Sequence, residues 1–337
     1  VQTALFIAAD LLKQSYQPGQ NQLLNGTIRF VPVDVLLAEK QQNTVILVDE
    51  AAAIPTPQLQ QLTDLYSRLV FATTEHGYEG TGRGFQLRFQ SYLQQHCPGF
   101  QKLHLHQPIR YQANDPLEQL IFKGFLLEQT DSAVTEIQQP RLTSYSVKEL
   151  LLQTQKLQQI FSLLSLAHYQ TDVMDLWALL DNPTLKLYTL EQDQQVIACA
   201  LISFEGELDA ELASAVAHGK RRVQGHLLAQ SLAFHCLQPQ LAEQKMARIQ
   251  RIVVHPLVQS QGIGSQLLGF VLQDLLDQQY LIGTSFGATL ALAKFWQKAG
   301  FIPVKLSHQN EQASNEASVL MLYGEQFKPL QQQFARQ

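Results

Sequence analysis

Arg248-Ile-Gln-Arg-Ile-Val-Val-His255-Pro256-Leu-Val-Gln259-Ser260-Gln261-Gly262-Ile263-Gly264-Ser265 is the stretch whose reading decides the fold. Arg248–Val254 reads as a strand, and the apolar run Gly262–Leu276 reads as a helix. Between them lies a glycine-bearing loop. The first N–H groups of a helix have no intrahelical acceptor, and the dipole makes that end positive. Such a mouth binds a pyrophosphate without needing a lysine. Gly262 and Gly264 are expected to let the backbone approach the phosphates, where a Cβ would intrude.

Downstream, Tyr280–Phe286 reads as a strand, Thr289–Ala299 as a helix and Ser318–Tyr323 as a strand, with a helix beginning near Glu325. Upstream of the loop, Lys186–Glu191 and Val196–Phe204 form a hairpin turning through Glu191-Gln192-Asp193-Gln194, and Gly225–Leu237 reads as a helix. Helices are expected around Val147–Ala167 and Asp172–Leu180, whereas polar Glu128–Tyr145, with Pro140, reads as a linker. In the first third, helical spacing over Ala4–Gln14, Pro57–Tyr66 and Gly84–Gln95 alternates with strands at Thr27–Val33, Thr44–Val48 and Leu69–Thr74. Lys102–His106 reads as extended. Short apolar strands separated by helices predict a parallel α/β sheet.

The 337 residues are too many for one ordinary domain. Apolar residues make up 45% and charged residues 16%, enough for buried cores and unlike a disordered chain. No apolar run has the length of a membrane span, and no basic–apolar leader opens the sequence, so a soluble cytoplasmic protein without membrane partners is expected. Cys97, Cys199 and Cys236 are scattered and suggest neither disulfides nor zinc. Lys and Arg total 24 against 29 Asp and Glu, a net charge of −5, so composition argues against a nucleic-acid partner and any such contact must be local. The basic triplet Lys220-Arg221-Arg222 is the candidate, and a solvated loop is its plainer reading.

Gln259, Gly262 and Gly264 match the Q/R-x-x-G-x-G/A signature, and the loop resembles the pyrophosphate site of GNAT acetyltransferases. Leu292–Phe301, with Gly300-Phe301, resembles the segment that closes that fold. The resemblance implies acetyl-CoA as cofactor. Backbone contacts would come from Ile252, Val253 and Val254. Gln259, Ser260, Gln261, Gly262, Ile263, Gly264 and Ser265 would hold the pyrophosphate, with Lys298 near the nucleotide.

Val45-Ile-Leu-Val-Asp49-Glu50 is an apolar strand ending in two acids, as a Walker B element is built. Asp49-Glu-Ala-Ala-Ala-Ile-Pro55 matches the cytidine acetyltransferase family letter for letter. Thr73–Phe85 and Pro108-Ile-Arg110-Tyr111 also resemble segments of that family. This resemblance implies a partial P-loop NTPase sheet of helicase-like type over 1–130, from Walker B onward. A linker over 131–154, a GNAT domain over 155–325 and the start of a truncated C-terminal region over 326–337 would follow. ATP with Mg²⁺ is implied for the intact protein, with Asp49 holding Mg²⁺ through water and Glu50, Arg83 and Arg110 at the nucleotide. No Walker A sequence occurs; Gly77–Gly84 has Arg83 and Gly84 where Lys and Ser/Thr belong. In the family that motif lies just upstream of where this sequence starts, so the chain as it stands is expected not to hydrolyse ATP.

The implied activity is N4-acetylation of the wobble cytidine in the anticodon of elongator tRNA(Met), with tRNA as partner. His255 and His168 are the candidate bases, although a turn residue and a buried histidine are their plainer readings. Ala291 stands where the family has glutamate, and Gln170 and Trp177 stand where it has arginines. Two other functions are therefore kept open: a GNAT enzyme for a protein or small-molecule amine, and a non-catalytic RNA-binding remnant.

Overall fold

The computed structural model describes residues 2–17, 19–39, 43–74, 89–107, 112, 114–127, 140–167, 173–310 and 317–334. The chain divides into two compact units, Val1–Thr73 and Thr74–Gln337.

In the first unit, α1 (Gln2–Leu11) is followed by the short antiparallel pair β1 (Gln22–Leu23) and β2 (Ile28–Arg29). Next come α2 (Val33–Ala38), β3 (Ile46–Val48), α3 (Thr56–Leu65) and β4 (Leu69–Phe71). Strands β3 and β4 are parallel, with Ile46 opposite Leu69 and Val48 opposite Phe71. The strand expected over Thr27–Val33 ends at Arg29, because Pro32 opens a helix and Asp34 complements the dipole in its first turn. Leu59 and Leu62 of α3 are fully buried, and the buried Tyr66 hydroxyl donates to Leu36 O at 2.9 Å. The outer face of the ladder stays bare: Leu47 is 75% exposed.

The second unit begins with α4 (Ser91–His96) and α5 (Pro116–Gly124), the latter capped by Asp115, which accepts from Leu117 N–H at 2.8 Å. Of the helix expected over 84–95, residues 84–88 lie outside the described residues. Lys102–His106 forms no regular strand.

A seven-stranded sheet follows, in the order β10-β11-β9-β8-β7-β6-β5. Its elements are β5 (Arg141–Ser146), α6 (Val147–Leu151), α7 (Thr154–Ala167), α8 (Val173–Leu180), β6 (Leu185–Gln192), β7 (Gln195–Gly206), α9 (Ala210–Ala217), α10 (Leu227–Cys236), β8 (Lys245–Val254), α11 (Ile263–Asp277), β9 (Leu281–Gly287), α12 (Leu290–Lys298), β10 (Phe301–Asn310), β11 (Ala317–Tyr323) and α13 (Lys328–Phe334). Only β8 and β9 run parallel; the other neighbours are antiparallel. The β6–β7 hairpin closes through Asp193 (φ 51°) and Gln194 (φ 64°), a left-handed pair that suits a two-residue turn.

The stretch expected as linker contains a strand. Arg141–Ser146 pairs with β6 from Arg141 opposite Glu191 to Ser146 opposite Lys186. Its Thr and Tyr are strand formers, and Tyr145 is buried while its polar neighbours face outward along the sheet edge. Strand β10 gave no readable signal, because Pro303 interrupts it; proline is tolerated there since β10 is the sheet edge.

Alternation along each strand divides the core. Ile197, Ile202 and Ile249 pack against Leu267, Leu268, Val271 and Leu275 of α11 on one face. Cys199, Leu201 and Val253 pack with Leu157, Phe161, Leu164, Leu176 and Leu179 of α7 and α8 on the other. A third cluster joins α9 and α10 to Met246, Val304 and Leu322.

Candidate active site

The sheet opens beside the decisive loop. β8 and β9 stay in register from Met246–Leu281 to Ile249–Thr284 and then part. Two local features coincide at the fork. Against β7, the register steps from Ile249–Ile202 to Arg251–Leu201, leaving Gln250 as the extra residue of a bulge, which bends and twists a strand. Against β9, the buried Thr284 hydroxyl donates to Ile249 O at 3.0 Å and satisfies that carbonyl where the ladder ends. Past the fork, β9 follows β11 as far as Gly287 opposite Ser318, while β8 follows β7 as far as Val254 opposite Ala198. In the sequence, Thr284 is marked only by one hydroxyl within Leu281-Ile-Gly-Thr284-Ser.

One edge of β8 is therefore unladdered from Gln250 to Val254. His255 N–H donates to Ile197 O at 2.8 Å, so alternation turns the polar groups of Val253 toward β7 and those of Ile252 and Val254 into the gap. The Gln259 side chain agrees with this, donating from Nε2 to Val254 O at 3.0 Å.

Helix α11 starts at the mouth of the gap. Gly262 occupies its cap position at φ 84° and brings no capping side chain. The amides of Ile263, Gly264 and Ser265 thus begin the helix without intrahelical acceptors. Ser260 is also left-handed, at φ 62°. The two glycines differ in what they do. A Cβ on Gly262 would meet nothing within 4 Å, so its need is the positive φ. A Cβ on Gly264 would stand 3.4 Å from Val254 Cγ2 and 3.7 Å from the Phe295 ring, in ordinary contact with both.

Ile263 is buried, whereas Gln259, Ser260, Gln261, Gly262 and Ser265 are exposed. Ile252, Val254 and Phe295 are half-buried against the first core cluster, and Val253 faces the second. Lys298 is exposed at the last turn of α12. Trp296 is buried, its ring 5.9 Å from that of Phe286 and 4.9 Å from that of Phe301, which makes it a core residue. Ala291 is exposed near the start of α12.

His255 caps the one-turn helix Pro256–Val258, its Nδ1 accepting from Leu257 N–H at 3.4 Å. His168, Arg83 and Arg110 lie outside the described residues. Lys220, Arg221 and Arg222 are exposed in the loop after α9. The loop is tethered by Gln230, whose Oε1 accepts from Val223 N–H at 2.8 Å. Behind it, the carboxylate of Glu205 is fully buried, accepting from Arg248 Nε at 2.5 Å and from Leu228 N–H, at the start of α10, at 2.6 Å.

In the first unit, Asp49 and Glu50 follow β3 and are exposed. Glu50 is left-handed at φ 51°, and its N–H donates to Asp49 Oδ1 at 3.1 Å. Two carboxylates at the carboxyl end of a parallel strand fit a hydrated magnesium ion. Among the described residues, no group of three or more His, Cys, Asp or Glu could hold a metal by itself, and no helix is long and apolar enough to cross a membrane.

The chain matches two family models: "RNA cytidine acetyltransferase NAT10/TcmA, helicase domain" over residues 5–128, and "GNAT acetyltransferase 2" over residues 159–280 and 273–325. A relative from Vibrio cholerae named tRNA(Met) cytidine acetyltransferase TmcA is 43% identical over 97% of this chain. The chain belongs to the RNA cytidine acetyltransferase family.

Another relative of the same name, from Nitrosococcus halophilus, is 41% identical over 88% of this chain. The chain spans 47% of the length of the Vibrio relative and 40% of the Nitrosococcus one, so it corresponds to under half of either cytidine acetyltransferase. Among solved structures, the ribosomal-protein-S18-alanine N-acetyltransferase from Escherichia coli matches at 15% identity and a TM-score of 0.36, covering 55% of this chain and 97% of its own. A likeness of that size carries no argument.

Proposed function

We propose that the second unit binds acetyl-CoA across the fork between β8 and β9. There it would transfer acetyl to N4 of the wobble cytidine in the anticodon of elongator tRNA(Met). The observation behind this reading is the opening of a parallel strand pair next to a helix mouth with no side-chain cap. Amides of residues 259–265 would hold the pyrophosphate. The gap-facing groups of Ile252 and Val254 would take the pantetheine end, and Lys298 the nucleotide end. When bound, acetyl-CoA supplies an activated acetyl group.

The cytidine amine is a poor nucleophile, because its lone pair is delocalised into the ring. The chain's own contribution is therefore orientation and polarity. An Ile252 or Val254 N–H turned into the gap is placed to stabilise charge on a carbonyl oxygen. The target base must leave its stack to enter. Lys220, Arg221 and Arg222 offer exposed positive charge to RNA phosphates. ATP and Mg²⁺, held in part by Asp49 and Glu50 in the intact protein, would drive the RNA rearrangement rather than the acyl transfer.

Mass spectrometry of tRNA nucleosides, after incubation of the intact protein with acetyl-CoA and ATP, tests the reading. A new acetylcytidine in elongator tRNA(Met) is expected. Acetylation of a protein or small amine, with tRNA untouched, would replace this acceptor assignment.

A further inference from the structure

On the face of β8 away from α11, one charged side chain stands beside the fork. Arg251 lies one residue past the bulged Gln250 and shares its face with Val253, which packs in the cluster of α7 and α8. Its Nη2 lies 3.0 Å from Asp175 Oδ1 on α8, and the two side chains are only 13% and 31% exposed. Fully buried Cys199, Leu176 and Leu179 of the same cluster lie on this face. A half-buried ion pair in such surroundings contributes little net stability, but its hydrogen-bond geometry is directional. It therefore specifies position. In α8, Leu176 and Leu179 are buried, and the pair adds a directional contact between the helix and the forked strand.

This inference rests on the reading above. If the cofactor occupies the mouth of α11, that helix and its loop cover one face of the fork, and the acceptor is left the opposite face. α8 packs on that face through Leu176 and Leu179. We propose that Arg251 is a positioning residue: through Asp175 it holds α8 so that the acceptor amine meets the unladdered edge of β8. Displacement by about 1 Å is enough to slow an oriented reaction about 100-fold. Cofactor affinity, set on the other face, should not change.

The test compares wild type with Arg251→Gln, Asp175→Asn, the double variant, and Arg251→Lys. Transfer to tRNA cytidine is measured by nucleoside mass spectrometry, and acetyl-CoA affinity by calorimetry. Each single change should lower kcat/KM for the RNA by about 100-fold, with Kd for acetyl-CoA within about twofold. The double variant should lose less than the sum of the two single losses, because both single changes remove the Arg251–Asp175 contact. Arg251→Lys, which keeps the charge, should recover part of the rate and controls for misfolding. Unchanged transfer, additive losses, or acetyl-CoA affinity falling in step with rate would overturn the role. A wild-type protein that binds acetyl-CoA but acetylates no cytidine would instead refute the functional reading, and this inference would go with it.

Discussion

The two units place their chemistry on different kinds of group. In Val1–Thr73 the candidate groups are the side chains of Asp49 and Glu50, exposed at the end of strands three residues long. In Thr74–Gln337 they are backbone amides, aimed by a helix start and by a strand released from its ladder within a seven-stranded sheet. Side-chain sites can lose their chemistry with no loss of fold. A backbone site depends on whatever sets the backbone, including buried groups that touch no ligand.

The largest effect should come from Glu205. Its carboxylate is fully buried, and Glu205→Ala would leave Arg248 unpaired and α10 uncapped at its start. A loss of about 3–5 kcal/mol is expected, measurable by denaturant unfolding. Hydrogen exchange should localise the loosening to the second unit; a loss under about 1 kcal/mol would mean that the pair is replaceable by water. Gly262→Val comes next. A branched residue at φ 84° costs about 1–2 kcal/mol of strain. Since about 1.4 kcal/mol is tenfold in affinity, a loop that relieves this strain by leaving its conformation should bind acetyl-CoA about 5- to 30-fold more weakly. Gly262→Val binding as tightly as wild type would show that the loop does not hold the cofactor.

Alkaline pH gives a smaller, graded effect. Burial, and then its hydrogen bond to Glu191, push the Tyr145 phenol up to about 12. The folded chain thus holds this proton more tightly than the unfolded one. The resulting stabilisation is complete below about pH 10 and is lost as pH rises toward 12. Thermal melts across that window should decline less steeply for Tyr145→Phe. The smallest effect belongs to Asp49→Asn and Glu50→Gln, which should shift stability by no more than about 0.5 kcal/mol and leave acetyl-CoA affinity unchanged. A large change in either quantity would erase the contrast between the units.

What was legible in the sequence follows the same division. The expected strand Arg248–Val254 and helix Gly262–Leu276 correspond to β8 and α11, because apolar periodicity and glycine punctuation are local signals. Strand β5 was hidden because Ser, Thr and Arg at a sheet edge look like loop residues. Strand β10 was hidden by Pro303, which only its edge position permits. The mouth of α11 could be read directly, since it is one continuous stretch. A splay at the Ile252–Val254 edge could be expected from the family resemblance, but not its cause, since the Gln250 bulge and the Thr284 hydroxyl come from two strands whose pairing is non-local. The same holds for Arg251 and Asp175, which are 76 positions apart in the chain.

Isothermal titration of the chain with acetyl-CoA, beside Gly262→Val and Asp49→Asn, is the most direct test of the central claim. One molecule should bind per chain to wild type and to Asp49→Asn alike, with affinity about 5- to 30-fold lower for Gly262→Val. No heat of binding from wild type, or equal binding by all three, would contradict it.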